Sequence, residues 1–387
     1  MEKVFEVRAG SITYFGVGAL KKIKSVLKVF RKMGVERIGV ITGKSSYKVS
    51  GAWSEIETAL SELKVEYLHF DGVMANPTVD QVDSAFELFK EFSPGALIGI
   101  GGGSALDVTK GVAVLLANPE RNARELYRCE FYPLKALPMV LVNLTHGTGS
   151  EIDRYSVATI PEDQVKVGIG YDCLYALYSI DDPSLTLNLP LDQSIYTAID
   201  ALNHAVEAST TLLSSPYTFT LSKEAAHLVF RHLPVLIENP KNLEARKWLL
   251  YASMLAGIAI DCSVTHITHL LEHAISALKP GIPHGLGLAL IAPAVMEVIY
   301  PAVSDKLDAL FEPINPPRDP KGFSEGMKKW HCELGIKGGL SDYGFKESDL
   351  DDLLLSVKAM PGVEKILSIA PIKVSDDLIR EIFRKSL

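Results

Sequence analysis

At 387 residues the chain exceeds one ordinary core and predicts two domains, and a composition of 47% apolar and 22% charged residues is that of a globular protein in water. A formal net charge of −8 with no Lys/Arg stripe argues against nucleic acid as a partner. Four scattered cysteines without a C-x-x-C pair fit a reducing, cytoplasmic setting; no export signal or apolar run of transmembrane length is expected, hence no membrane partner.

From Phe5 to Phe15 the alternation is strand-like, and Gly18 to Val35 reads as an amphipathic helix with a basic outer face. Val35 to Ile41 follows as a buried strand ending in Thr42-Gly43-Lys44-Ser45-Ser46. Strand and helix then alternate: Val65 to Phe70, the helix Val79 to Phe92, Ala96 to Ile100, and the helix Ala105 to Leu116. Apolar strands in a βαβα order imply an α/β domain with a parallel, Rossmann-like sheet covered on both faces, binding ligands at the strands' carboxyl ends.

The strand ending at Ile100 runs into Gly101-Gly102-Gly103-Ser104-Ala-Leu-Asp107-Val-Thr-Lys110. Glycines let backbone approach a pyrophosphate at the positive end of the next helix. The string lacks the Lys-Ser/Thr of a P-loop, which speaks against a kinase or ATPase reading. Val140 to Asn143 reads as another strand, leading into Leu144-Thr145-His146-Gly147-Thr148-Gly149-Ser150-Glu151, where small residues and hydroxyls suit a phosphate or ribose cradle. A second small β region, with Lys166 to Ile169 and Ala176 to Ile180 as strands, should close the dinucleotide-binding domain at residue 183.

From residue 184 to 387 helix follows helix: Asp192 to Leu212, Tyr217 to Ile237, Leu243 to Cys262, His266 to Leu278, Leu286 to Val298, and shorter ones beyond. This helical domain carries a candidate metal site. Asp200 and His204 fall at i and i+4 on one helical face, while His266, His269 and His273 crowd one segment and His284 follows a Pro/Gly break. Asp200, His204, His269 and His284 together suit Fe²⁺ or Zn²⁺ better than Mg²⁺ or Ca²⁺, with His266 an alternative to His269. Between Cys262 and His284 the one basic chain is Lys279, so a small uncharged alcohol or aldehyde fits better than an anionic substrate.

Five motifs, in order, carry a resemblance along nearly the whole chain. They are Ala75-Asn76-Pro77-Thr78, the glycine string at 101 to 110, Gly147-Thr148-Gly149-Ser150-Glu151, Asp200-Ala-Leu-Asn-His204-Ala-Val-Glu207, and His269-Leu-Leu-Glu-His273 followed by Pro283-His284-Gly285. The chain resembles the iron-containing (group III) alcohol dehydrogenases. That resemblance implies a metal bound by Asp200, His204, His269 and His284, a pyrophosphate loop at Gly102, Gly103 and Ser104, and further cofactor contacts at Asn76, Asp107, Thr145 and Thr148. It further implies Lys166 at the cofactor ribose, His273 as a polar or proton-relay residue, and a homodimer. Many members carry Asp where this chain has Gly43; Gly43 followed by Lys44, Ser45 and Ser46 suits a ribose 2′-phosphate, so NADP(H) is expected over NAD(H). The alternatives are a glycerol-type polyol dehydrogenase, a dehydroquinate synthase-like lyase, or a non-catalytic nucleotide- or metal-binding protein.

Overall fold

The computed structural model describes residues 4–387. Its first half is built on a six-stranded parallel sheet in the order β1-β8-β5-β4-β2-β3, formed by β1 (Ile12–Phe15), β2 (Arg37–Gly43), β3 (Glu66–Val73), β4 (Ala96–Gly101), β5 (Met139–Asn143) and β8 (Tyr178–Asp181). Alternation along the strands assigns the two faces. Ile98, Ile100, Val140 and Val142 turn toward α1 (Ile23–Lys32) and α3 (Ala52–Glu62), which follows the short α2 (Ser46–Val49). Leu97, Met139 and Leu141 turn toward α4 (Val79–Phe92) and α5 (Gly103–Ala117). With both faces covered, the strands are nearly continuous apolar runs, as parallel sheets require.

Past the short α6 (Ala123–Tyr127), β6 (Tyr155–Ile160) and β7 (Val165–Gly170) pair antiparallel as a separate ribbon. Two strand expectations change here. The segment near Ala176 to Ile180 does not extend that ribbon but returns to the main sheet as β8, between β1 and β5. The strand expected from Phe5 shortens to Ile12–Phe15, because only from Ile12 does the backbone meet Tyr178 on β8, and Phe5 and Val7 stay exposed.

All later elements are helical: α7 (Leu191–Thr210), α8 (Pro216–Glu238), α9 (Leu243–Ser263), α10 (Ile267–Leu278), α11 (His284–Leu310), α12 (Pro320–Glu333), α13 (Leu350–Ala359), α14 (Val363–Ser368) and α15 (Asp376–Lys385). One apolar cluster runs from α4 and α5 through α7 to α15, so the helical half packs on the sheet's second face rather than forming an isolated core. α11 extends well beyond Val298 and breaks geometry at Val303, two residues after Pro301. It is long and apolar enough to cross a membrane, against the expectation that no such run exists; but 72% of its most apolar stretch is buried inside the molecule, which makes it the core helix of the second half.

Candidate active site

Three helices deliver the expected metal ligands to one point. Asp200 and His204 lie on α7, His269 on α10, and His284 is the first residue of α11. Ligand atoms of Asp200, His269 and His284 all lie within 4.8 Å of one another. Asp200 Oδ1 is 3.4 Å from His269 Nε2 and 3.7 Å from His284 Nε2. His204 stands beside this trio with its ring stacked on His269 at 4.3 Å, and its Nδ1 lies 3.6 Å from Asp200 Oδ1 and 3.4 Å from the Gly147 carbonyl. His266, the alternative ligand, turns away: its Nε2 meets Thr210 Oγ1 at 2.9 Å.

Two buried carboxylates aim the imidazoles. Glu207 engages His269 Nδ1 and also accepts the backbone N–H of His266 (3.1 Å), Thr268 (2.6 Å) and His269 (3.2 Å), tying the start of α10 to α7. Glu272 engages His284 Nδ1 and accepts from Ser276. With each Nδ1 held by a carboxylate, Nε2 of both rings is turned to Asp200, where a bound ion would take the place of a proton, the arrangement found around protein-bound metals. Neither Glu was predicted, although each stood inside a quoted motif; burial of a charge one turn from a histidine was the available signal.

The electrostatics match. Burial would raise the Asp200 carboxyl, but His204, His269 and His284 hold it below the ordinary carboxylate range. Burial likewise opposes Glu207 and Glu272, yet His266 and His269 bring Glu207 down to about 2, and His284 with Lys166 holds Glu272 below the usual range. Burial would depress His269, but Glu207 and Asp200 raise it to about 9. Burial, then Lys166, depresses His273 well below an ordinary imidazole, keeping it neutral.

Two adjoining hollows meet at this cluster. A cleft of about 430 Å³ follows the carboxyl ends of β2, β4 and β5 past Gly43, Ser46, Gly101 to Ser104, Thr145 and Thr148. A cavity of about 220 Å³ lies beyond it, lined by His204, His269, His273, Lys166 and apolar side chains. Asp200 and His284 line both. The glycine turn is shaped by its neighbours: a Cβ on Gly102 would come within 2.7 Å of Thr145, and one on Gly103 within 2.5 Å of Thr148. The α5 N–H groups opening onto the cleft have no side-chain cap, which leaves them for an anion.

Of the other expected cofactor contacts, Gly43 and Ser46 line the cleft, Asn76 lines both hollows, and Asp107 and Lys166 line the cavity, several of them with protein partners of their own. Asp107 uses its carboxylate on Ser150 Oγ (2.6 Å) and the Val157 N–H (3.1 Å), and Lys110 of the same string is buried against Asp153 at 2.9 Å, so both pin the 150 to 157 segment onto α5. Lys44 and Ser45 are exposed and lie outside the cleft lining, whereas Gly43 and Ser46 border it. Lys166 Nζ donates to Asn76 Oδ1 (3.0 Å) and lies 3.2 Å from His284 Nδ1, while Asn76 donates to the Pro280 and Ile282 carbonyls. Asn76 and Lys166 thus join the sheet loops to the start of α11.

Comparison with known proteins agrees with this geometry. The profile of the iron-containing alcohol dehydrogenases matches residues 11–183, and that of their C-terminal domain matches 194–387. The chain is 47% identical to the long-chain primary alcohol dehydrogenase AdhA of Thermoanaerobacter ethanolicus, covering 99% of this chain and 98% of the relative. An iron-containing alcohol dehydrogenase from Thermotoga maritima superposes with a TM-score of 0.87 at 32% identity over 99% of each chain. An NADH-dependent butanol dehydrogenase of the same organism gives 0.88 at 27% over 99% of this chain and 98% of the other. The chain therefore belongs to the iron-containing alcohol dehydrogenase family.

Proposed function

We propose that this enzyme interconverts uncharged alcohols and aldehydes with NADP(H), using an ion held by Asp200, His204, His269 and His284. The observation that carries this reading is that Asp200 and His284 line both hollows, so a nucleotide in the cleft and a substrate in the cavity would meet at the ligand cluster. Three imidazoles and one carboxylate suit iron or zinc. When bound, such an ion supplies Lewis-acid polarisation of a substrate oxygen.

The chain's own residues do the remainder. Glu207 and Glu272 hold His269 and His284 in one tautomer, and the Gly102 to Ser104 backbone takes the pyrophosphate. His273, neutral and lining the cavity, can hold a hydrogen bond to an alcohol there. No arginine lines the cavity among the described residues, and its one lysine is engaged with Asn76, which favours an uncharged substrate over an anionic one. The NADP assignment rests on Gly43: among the described residues, the cleft end bordered by Gly43 and Ser46 carries no carboxylate to repel a 2′-phosphate. The NADH-dependent butanol enzyme shows that the other choice exists on this fold.

The test is anaerobic turnover of 1-butanol with NADP⁺ and with NAD⁺, on protein stripped by chelation and resupplied with Fe²⁺ or Zn²⁺. NADP-linked activity returning only with metal is expected. Metal-loaded protein inactive on 1-butanol yet active on glycerol would shift the assignment to polyols.

A further inference from the structure

The elbow between α9 and α10, where the chain turns through 104°, holds an unusual residue. Val264 caps α9 at φ 70°, ψ 146°, a region almost reserved for glycine and costly for a β-branched side chain. Its N–H is satisfied by the Ile260 carbonyl at 2.6 Å, so the backbone needs no side chain to close the turn. Glycine would turn this corner without strain. The valine side chain is also not packed away: Ser263 and His266 are buried, but Val264 and Thr265 are half-buried and line the cavity that holds the ligand cluster. Strain retained at a position whose side chain faces a cavity points to a use for that side chain there.

Apolar surface predominates on that wall, and its apolar side chains come from separate parts of the fold. Val157 and Val167 come from the β6–β7 ribbon, Leu270 from α10, Met360 from the turn after α13, and Ile366 from α14. The carboxylates that touch the same cavity away from the ligands are engaged, Asp107 by Ser150 and Asp153 by Lys110. Polar groups crowd the side of the ligand cluster and of Ser150 and Tyr155, while Val157, Val167, Val264, Leu270, Met360 and Ile366 supply hydrocarbon, which can take an alkyl chain whose hydroxyl lies at the cluster.

We propose that Val264 is a specificity-determining residue that sets the width of an alkyl sleeve, and that Met360 and Ile366 bound its length. The proposal rests on the alcohol-oxidising reading of the site. Val264→Gly should widen the sleeve and relieve strain; Ile366→Trp should shorten it.

The experiment compares kcat/KM for ethanol, 1-butanol, 3-methyl-1-butanol and 1-octanol on metal-loaded holoenzyme. In Val264→Gly the ratio of 3-methyl-1-butanol to 1-butanol should rise at least about tenfold, with no fall in Tm; in Ile366→Trp the ratio of 1-octanol to ethanol should drop at least about tenfold. Ratios within about twofold of wild type in both variants overturn the sleeve, as does a Val264→Gly that merely melts earlier with its ratios unmoved. Calorimetric binding of the same alcohols to nucleotide-loaded protein separates the two readings. Affinity rising about two- to fourfold per methylene, and lost in Ile366→Trp, supports the sleeve even if no alcohol turns over, in which case the oxidation reading fails alone. Chain-length-independent binding in the wild type overturns the sleeve even where turnover is present.

Discussion

Glu207 and Glu272 engage Nδ1 of His269 and His284, and so decide what those imidazoles can offer an ion. An amide in place of Glu207 can keep the shape but loses the charge that favours an Nδ1–H, and it weakens the acceptor for three backbone N–H groups. Glu207→Gln should therefore weaken metal binding by about 10- to 100-fold, read by competition with a chromogenic chelator. A dissociation constant equal to wild type would remove Glu207 from the metal's support. At the other end of the cleft the deciding feature is a missing side chain. A Cβ on Gly43 would lie 3.3 Å from the Val73 carbonyl, close but relieved by a small shift. Gly43→Asp should lower the NADP/NAD ratio of kcat/KM by about tenfold or more, through charge repulsion of the 2′-phosphate and a new ribose acceptor. A ratio that does not move would place nucleotide choice elsewhere.

Among the elements, α11 must start in one place because its first turn is wedged against α7. A Cβ on Gly285 would fall 1.9 Å from the Tyr196 carbonyl, so only glycine lets His284 reach Asp200. Gly285→Ala should cost about 1–3 kcal/mol as overpacking and loosen the metal site, visible together in a thermal melt and a metal titration. A second constraint links α9 to the loop after β5. His146 is wholly buried between Thr197 Oγ1 (3.2 Å) and the Arg246 guanidinium (3.5 Å), and burial, then Arg246, pushes its imidazole down to about 3. The unfolded chain binds this proton below about pH 6.5 and the folded one does not, so stability is lost as pH falls from about 6.5 toward 3. At pH 5 the loss is about 2 kcal/mol, and His146→Asn should melt with a flatter pH profile between 7 and 5; parallel profiles would contradict it.

These same elements show what the sequence could reveal. Strands β2, β4 and β5 and helices α4 and α7 to α10 were legible because apolar periodicity is local, and Asp200 with His204 because i, i+4 is local too. The partner of β8, the β6 strand and the roles of Glu207, Asp107 and Lys110 were not, because each depends on which distant segment a residue meets. Val264 was invisible for a related reason: valine at a glycine conformation leaves no mark in composition.

Across the whole molecule, the cluster is where separately formed parts are joined. The expected ligands sit on α7, α10 and α11, while Asn76, from the loop after β3, reaches the Pro280 and Ile282 carbonyls just before α11 and accepts from Lys166. Without an ion, Asp200 relies on neighbouring imidazoles for compensation of a buried charge. An ion that binds the folded chain and not the unfolded one adds stability set by its concentration relative to Kd, about 4 kcal/mol at a thousandfold excess. Chelated protein should therefore melt several degrees below the same protein resupplied with Fe²⁺ or Zn²⁺, and the difference should grow with the logarithm of metal concentration. His284→Ala supplies the internal check, since it removes a ligand from the start of α11 without touching the Asn76 bridge to the preceding turn. Its melt should no longer respond to metal. If wild type and variant respond alike, the stabilising ion sits somewhere other than the Asp200 cluster; if neither form of the wild type shifts, the cluster does not hold the ion tightly enough to organise the three helices.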